Sequence, residues 1–150
     1  MQTFMPLPDF LSSLTVLDYR RLGKQRVEAK QLIDTILERP TKSGKPRKGW
    51  RNHPAAIMWR GYVPALQHYH NLCIDEWITR GYKNSMPREE IADAIVMPHW
   101  MGDPAFHASH RSNLLRKDPK YYSGWGWTES DNLEYLWPGE FPGTPYRQLK

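Results

Sequence analysis

Apolar residues recur at three- and four-residue spacing over much of the chain and strict alternation is nowhere sustained, so the pattern predicts helices rather than strands. Asp9 can cap a short turn carrying Phe10, Leu11 and Leu14, and Asp18 can cap a longer helix reaching about Glu38. In the longer helix Leu22, Val27, Leu32, Ile33, Ile36 and Leu37 make the apolar stripe, with Arg20, Arg21, Lys24, Arg26, Glu28 and Lys30 on other faces and Gly23 as a local weak point. His53-Pro54 opens the longest helical stretch, in which Ile57, Met58, Tyr62, Leu66, Tyr69, Leu72, Cys73, Trp77 and Ile78 recur up to a stop at Gly81. Pro64 lies inside that run and predicts a kink or break. Pro87 can start another short helix through Ile91. Asp103-Pro104 starts the last long one, and Asp118-Pro119 ends it. The remainder, from Ser123 to Lys150, is rich in Gly, Pro and Trp and reads as irregular or short-helical. The expected fold is all-α: a compact single domain over residues 1–150, a helical bundle of about three main helices with an irregular C-terminal segment.

Composition adds a partner to that picture. Twenty-one Lys and Arg against sixteen Asp and Glu leave a formal charge of +5, which favours a polyanion. Seven Trp and eight Tyr supply enough contact area for a core despite the polarity. The single cysteine, Cys73, can form no intramolecular disulfide and reads as a buried, inert thiol in a reducing compartment. Residues 1–9 lack a basic, apolar leader pattern and no run approaches a membrane span, so a cytoplasmic, nucleoid-associated protein with no membrane partner is expected. The turn-rich, cationic stretch Pro40 to Gly49 reads as a solvated loop that could also lie along a phosphate backbone.

The chain has no phosphate loop, dinucleotide fingerprint or nucleophile elbow. His68 with His70, or His107 with His110 and Asp103, lack a convincing ligand spacing, so neither a metal nor another cofactor is expected. The densest chemistry lies between Trp100 and Tyr122, where His107, His110, Arg111 and Leu114 share one helix face and the segment ends in paired tyrosines. That face predicts a nucleic-acid surface.

Three blocks carry a resemblance: Tyr19 to Glu28, His53-Pro54 through Trp77-Ile78-Thr79-Arg80-Gly81-Tyr82, and Gly102-Asp103 through Tyr121-Tyr122. In order and spacing they resemble the pyrimidine-dimer DNA glycosylases of the endonuclease V type, including the uncharacterised bacterial and phage relatives. The resemblance implies an α-helical DNA glycosylase, with abasic-site lyase activity through an amine Schiff base, acting on damaged or modified pyrimidines in double-stranded DNA. It implies an N-terminal amine as nucleophile and a helix-borne Glu that stabilises the sugar cation. An α-amine suits that task because its ordinary pKa, about 8, leaves a useful neutral fraction near pH 7.

The family's Tyr-Arg-Glu-Leu run appears here as Tyr19-Arg20-Arg21-Leu22, so the carboxylate comes from a shifted register, at Glu28; its bland alternative is a salt bridge to Lys24. Gln2 is too large for efficient removal of the initiator, which leaves the amine on Met1. Met1 and Glu28 are therefore the catalytic candidates. Arg20, Arg26, Arg111, Arg116 and Lys117 are the candidate DNA contacts. Tyr121, Tyr122, Trp125 and Trp127 are candidates for stacking on an extruded base, as is Trp50, whereas Trp59 reads as core. A monomer is expected. Two other readings stay open: a non-catalytic nucleic-acid-binding module on the same scaffold, and a hydrolase or transferase acting on a nucleotide or RNA.

Overall fold

The computed structural model describes residues 1–45 and 50–147, apart from the Trp50 side chain. The Trp50 reading, and residues 46–49 of the basic loop, lie outside what is described. Among the described residues there are six α-helices and no strands. They are α1 (Phe10–Thr15), α2 (Tyr19–Ile36), α3 (Pro54–Trp59), α4 (Val63–Thr79), α5 (Pro104–Lys117) and α6 (Pro119–Tyr122), with short 3-10 turns at Trp50–Asn52 and Ser123–Trp125.

Local chemistry sets most of the helix ends. Asp9, Asp18, Asp103 and Asp118 each accept a backbone N–H in the first turn of the helix they precede, and His53 does the same for α3 through its ring. The stretch from Pro54 to Thr79 breaks in two, as Pro64 predicts. Gly61 adopts φ +89°, and Pro64 then sits in the first turn of α4, where a missing amide costs nothing. Gly81 closes α4 with φ +92°.

The core joins Phe10 and Leu14 of α1, Leu22, Leu32 and Ile33 of α2, Met58 and Trp59 of α3, Leu66, Tyr69 and Cys73 of α4, and Phe106 and Leu114 of α5. Trp59 is its hub, edge-on to Trp100 at 4.9 Å and flanked by Phe10 and Tyr69. Burial pushes the Cys73 thiol well above its usual range, so it stays protonated. Helix α2 packs on α4, and at Gly23 the fit is tight: a Cβ there would stand 3.1 Å from a Trp77 ring carbon. The residue that weakens the helix therefore allows the packing.

Three sequence expectations need correction. Val27, Leu37 and Ile78 sit on the apolar stripes yet are exposed, because each stripe is wider than the face its neighbours cover. Residues 87–91 are not helical. Asn71 pairs with Glu89 through both its amide atoms, accepting from Glu89 N at 2.8 Å and donating to Glu89 O at 3.0 Å, and so holds this segment extended. The Glu89 carboxylate takes Arg39, Lys30 and Gln67, which outweigh its burial and depress its pKa to about 2. The third correction concerns α5, which is not a basic outer face. His107, Ser109, His110, Ser112 and Asn113 are all buried.

No helix among the described residues is long and apolar enough to cross a membrane.

Candidate active site

The site begins with residues 2–7, a non-helical segment whose residues 2–6 are buried without a sheet to pair with. Buried backbone groups must find partners, and here side chains of the helices supply them. Gln25 of α2 donates to Gln2 O at 2.9 Å and accepts from Phe4 N at 3.0 Å. His110 of α5 accepts from Met5 N at 2.9 Å, and His107 donates to Met5 O at 2.7 Å. Arg111 donates to Pro6 O at 2.8 Å, and Ser13 accepts from Leu7 N at 3.0 Å. Trp59 donates its indole N–H to the Thr3 hydroxyl at 2.9 Å.

The two histidines hold opposite tautomers. Gly102 N donates to His107 Nε2, so the proton of His107 sits on Nδ1 and faces Met5 O; His110 accepts at Nδ1. Burial, and secondarily the charge of His107, drives the His110 pKa down to about 3. Burial lowers that of His107 as well. Both rings are neutral struts.

The amino end of this segment opens into a cavity of about 780 Å³ between α2 and the α5–α6 junction, lined in part by Met1, Gln2, Asp18, Tyr19, Arg20, Arg21, Lys24, Glu28, Lys117 and Tyr121. Both catalytic candidates, two of the DNA-contact candidates and one stacking candidate therefore meet in one place. One Glu28 oxygen accepts from Gln2 N and from Gln25 Nε2, each at 3.3 Å. Gln25 is fully buried and is itself fixed by the Tyr69 hydroxyl at 2.5 Å, so a single side chain sets the amino-terminal segment relative to the carboxylate. Glu28 makes no ion pair with Lys24 among the described residues, contrary to the bland alternative.

Asp18 is occupied: burial would raise its pKa, but the Tyr122 hydroxyl and Arg21 outweigh it and hold it below the usual carboxylate range. Burial, then the charges of Arg21, Arg116 and Lys24, lower the pKa of Lys117.

The remaining candidates disperse. Arg20 is exposed at the cavity rim, whereas Arg26 bonds Asn84 at 2.6 Å and lies over the Trp77 ring. Arg111 is half-buried and held by Glu129 and Pro6 O, whereas Arg116 is exposed but engaged with Asn113 and Asp131 O. Tyr121 lines the cavity with Trp125 edge-on beside it at 6.3 Å, both exposed. Tyr122 is fully buried, stacked on Trp127 with its hydroxyl on Asp18, so it offers no face to a base.

Sequence reasoning missed Gln25, Gln2 and Tyr69 as parts of the site. Gln25 sits among Lys24, Arg26 and Glu28 on a helix that reads as solvated there, and nothing in the pattern singles it out.

The model of the pyrimidine dimer DNA glycosylase family matches residues 1–90, more than half of the chain. The matched portion contains Met1, Arg20, Arg26 and Glu28; the block from Gly102 to Tyr122 lies beyond it. No curated protein and no solved structure matches. The chain belongs to the pyrimidine dimer DNA glycosylase family, which points to DNA glycosylase activity and to DNA as the substrate.

Proposed function

We propose that this family member cleaves the glycosidic bond of damaged or modified pyrimidines in double-stranded DNA through an amine nucleophile, and cuts the resulting abasic site by β-elimination. The observation that carries the reading is the meeting of Glu28 with the amino-terminal segment: covalent geometry keeps the Met1 amine within about 4 Å of Gln2 N, and Gln2 N donates to Glu28. The neutral Met1 amine attacks C1′ of the sugar; the C–N bond forms as the glycosidic bond breaks, and the base leaves with its electron pair and takes up a proton from solvent, which leaves the positive charge on the new sugar ammonium. The cationic sugar-amine intermediate then lies beside the Glu28 carboxylate, which stabilises its charge and moves the protons that open the ring to a Schiff base. Loss of the proton on C2′ expels the 3′ phosphate, and water releases the amine. Arg20, Lys24 and Lys117 surround this centre and are suited to hold the flanking phosphates.

Borohydride reduction in the presence of abasic-site DNA tests the proposal by converting a Schiff base into a stable covalent adduct. The expected result is an adduct that maps to the Met1 peptide and disappears when the amine is acetylated. DNA binding without any adduct would identify a non-catalytic binding module instead.

A further inference from the structure

The cavity that holds Met1 and Glu28 has the dimensions of a small-molecule site. Its volume of about 780 Å³ lies within the range of pockets that enclose whole small ligands, about 300–1,000 Å³. Its lining is also unbalanced in charge. Arg20, Lys24 and Lys117 line it without a carboxylate partner among the described residues, whereas the carboxylates that border it are engaged. Asp18 is taken by Arg21 and the Tyr122 hydroxyl, Glu28 by Gln2 N and Gln25, and Asp118 by Tyr121 N. The surplus of positive charge acts inside the cavity: after burial, it is Arg21, Arg116 and Lys24 that lower the pKa of Lys117.

The α-amine stands among these cations. With an ordinary pKa of about 8, an α-amine is neutral near pH 7 far more often than a lysine, whose ordinary value is about 10.4. Of the amines around the cavity, Met1 is therefore the one suited to attack a carbonyl carbon. The hydrogen bond from Gln2 N keeps it beside Glu28, a carboxylate able to carry protons. On the α6 side the exposed ring of Tyr121 adds an apolar face.

An amine nucleophile, a proton carrier and unpaired cations in one pocket are complementary to a carbonyl and a phosphate joined by a few bonds, and nothing in that complementarity requires a nucleic acid. We propose that the cavity also binds small phosphorylated aldehydes free in solution, which form a reversible imine with Met1 while Arg20, Lys24 and Lys117 take the phosphate, and which thereby compete with DNA. The amine adds to the aldehyde carbon to give a carbinolamine. Glu28 takes a proton from the attacking nitrogen and returns it to the hydroxyl, which leaves as water as the C=N bond forms; water reverses the sequence. The inference rests on Met1 being the nucleophile, as proposed above, and needs no base to be released.

The test uses the full chain with pyridoxal 5′-phosphate as the probe and pyridoxal as its phosphate-free control. Borohydride fixes the imine and peptide mapping locates it. Fixation at Met1 should need at least about 10-fold less of the phosphorylated probe, the factor expected for one charged hydrogen bond. Lysines outside the cavity, such as Lys83, should require more of it than Met1 does. Added salt and Lys117→Gln should each erode the preference for the phosphate. Excess duplex carrying an uncleavable tetrahydrofuran abasic analogue should block the adduct. Equal fixation of the two probes at Met1, or an adduct that the duplex does not block, would overturn the inference. So would fixation confined to lysines while abasic-site DNA still traps at Met1, a result that leaves the DNA chemistry standing. If neither the probe nor abasic-site DNA traps at Met1, both readings fall.

Discussion

Helices α2 and α5 are similarly polar in sequence, yet they use that polarity in opposite directions. Helix α2 turns Arg20, Arg21, Lys24 and Glu28 outward onto the cavity and buries Gln25 there and Asp34 and Thr35 at its far end, whereas α5 buries two histidines, two serines and an asparagine along its middle. The amino-terminal segment accounts for Gln25 and for the two histidines, whereas Ser109, Ser112 and Asn113 bond the backbone of Leu133 and Leu136. Residues 2–7 need backbone partners from two sides, and α2 supplies one while α5 supplies the other. A polar helix is thus free to serve as a nucleic-acid surface only when nothing inside the fold requires its side chains; α2 borders the proposed reacting centre, and α5 holds the amino-terminal segment that enters it.

The largest expected effect divides the two helices by chemistry. Glu28→Gln keeps the size of the side chain and an acceptor for Gln2 N but removes the charge proposed to face the sugar cation. Loss of one preorganised electrostatic group commonly costs about 10²-fold or more, so single-turnover base release on dimer-containing DNA should fall at least that far, with melting temperature and DNA affinity close to wild type. Wild-type rates would remove α2 from the chemistry.

The complementary variant on α5 acts on stability first. His110→Ala strands Met5 N in the core and opens a cavity, together costing about 2–4 kcal/mol, whereas His110→Asn retains an acceptor at the Nδ1 position and should cost less. Urea unfolding measures the difference. If the alanine variant is as stable as wild type, His110 is not a strut.

Capping and turn chemistry made most helix ends legible in the sequence: the four aspartates, Pro64 and Gly81 act through groups within a few residues of themselves. Glu28 and Met1 were named through the family resemblance, and the cavity brings both together. What remained hidden is long-range. His110 meets Met5 across more than a hundred positions and Gln25 meets Phe4 across 21, and neither pairing leaves a periodicity in the chain. The extended segment at 87–91 escaped for the same reason, because Asn71, and not a local signal, decides its conformation.

Two cations that looked equivalent now separate the helices further. Lys117 lines the cavity without a carboxylate partner among the described residues, and Arg111 is bound to Glu129 and Pro6 O. Lys117→Glu should weaken binding to any DNA sequence and reduce the salt slope by about one, as expected for a lost phosphate contact. Arg111→Glu should instead lower the melting temperature and leave the slope of the folded protein unchanged. Titration of binding against salt, run beside thermal melts, distinguishes the two; identical behaviour would put both on the same surface.

The smallest effect is a pH dependence to which the strut helix contributes through its two buried histidines, beside His70 of α4, which burial depresses in the same direction. An unfolded histidine takes a proton below about pH 6.5, but His110 in the folded chain stays neutral down to about pH 3 because burial penalises its charged form. Between those values the unfolded state binds the extra proton, so stability must fall as pH falls through that window, by up to about 1.4 kcal/mol per pH unit for one fully coupled group. His107, also depressed by burial, adds to the slope in the same direction. Glu89 contributes only in more acidic solution, where its stabilisation fades as pH drops from its ordinary range towards about 2. Urea unfolding at pH 7.5, 6.5 and 5.5 should therefore give a falling stability in the wild type and a shallower fall in His110→Asn, which has no proton to take up. Equal slopes in the two proteins would mean that His110 is charged in the fold, and Met5 N could then not be donating to it.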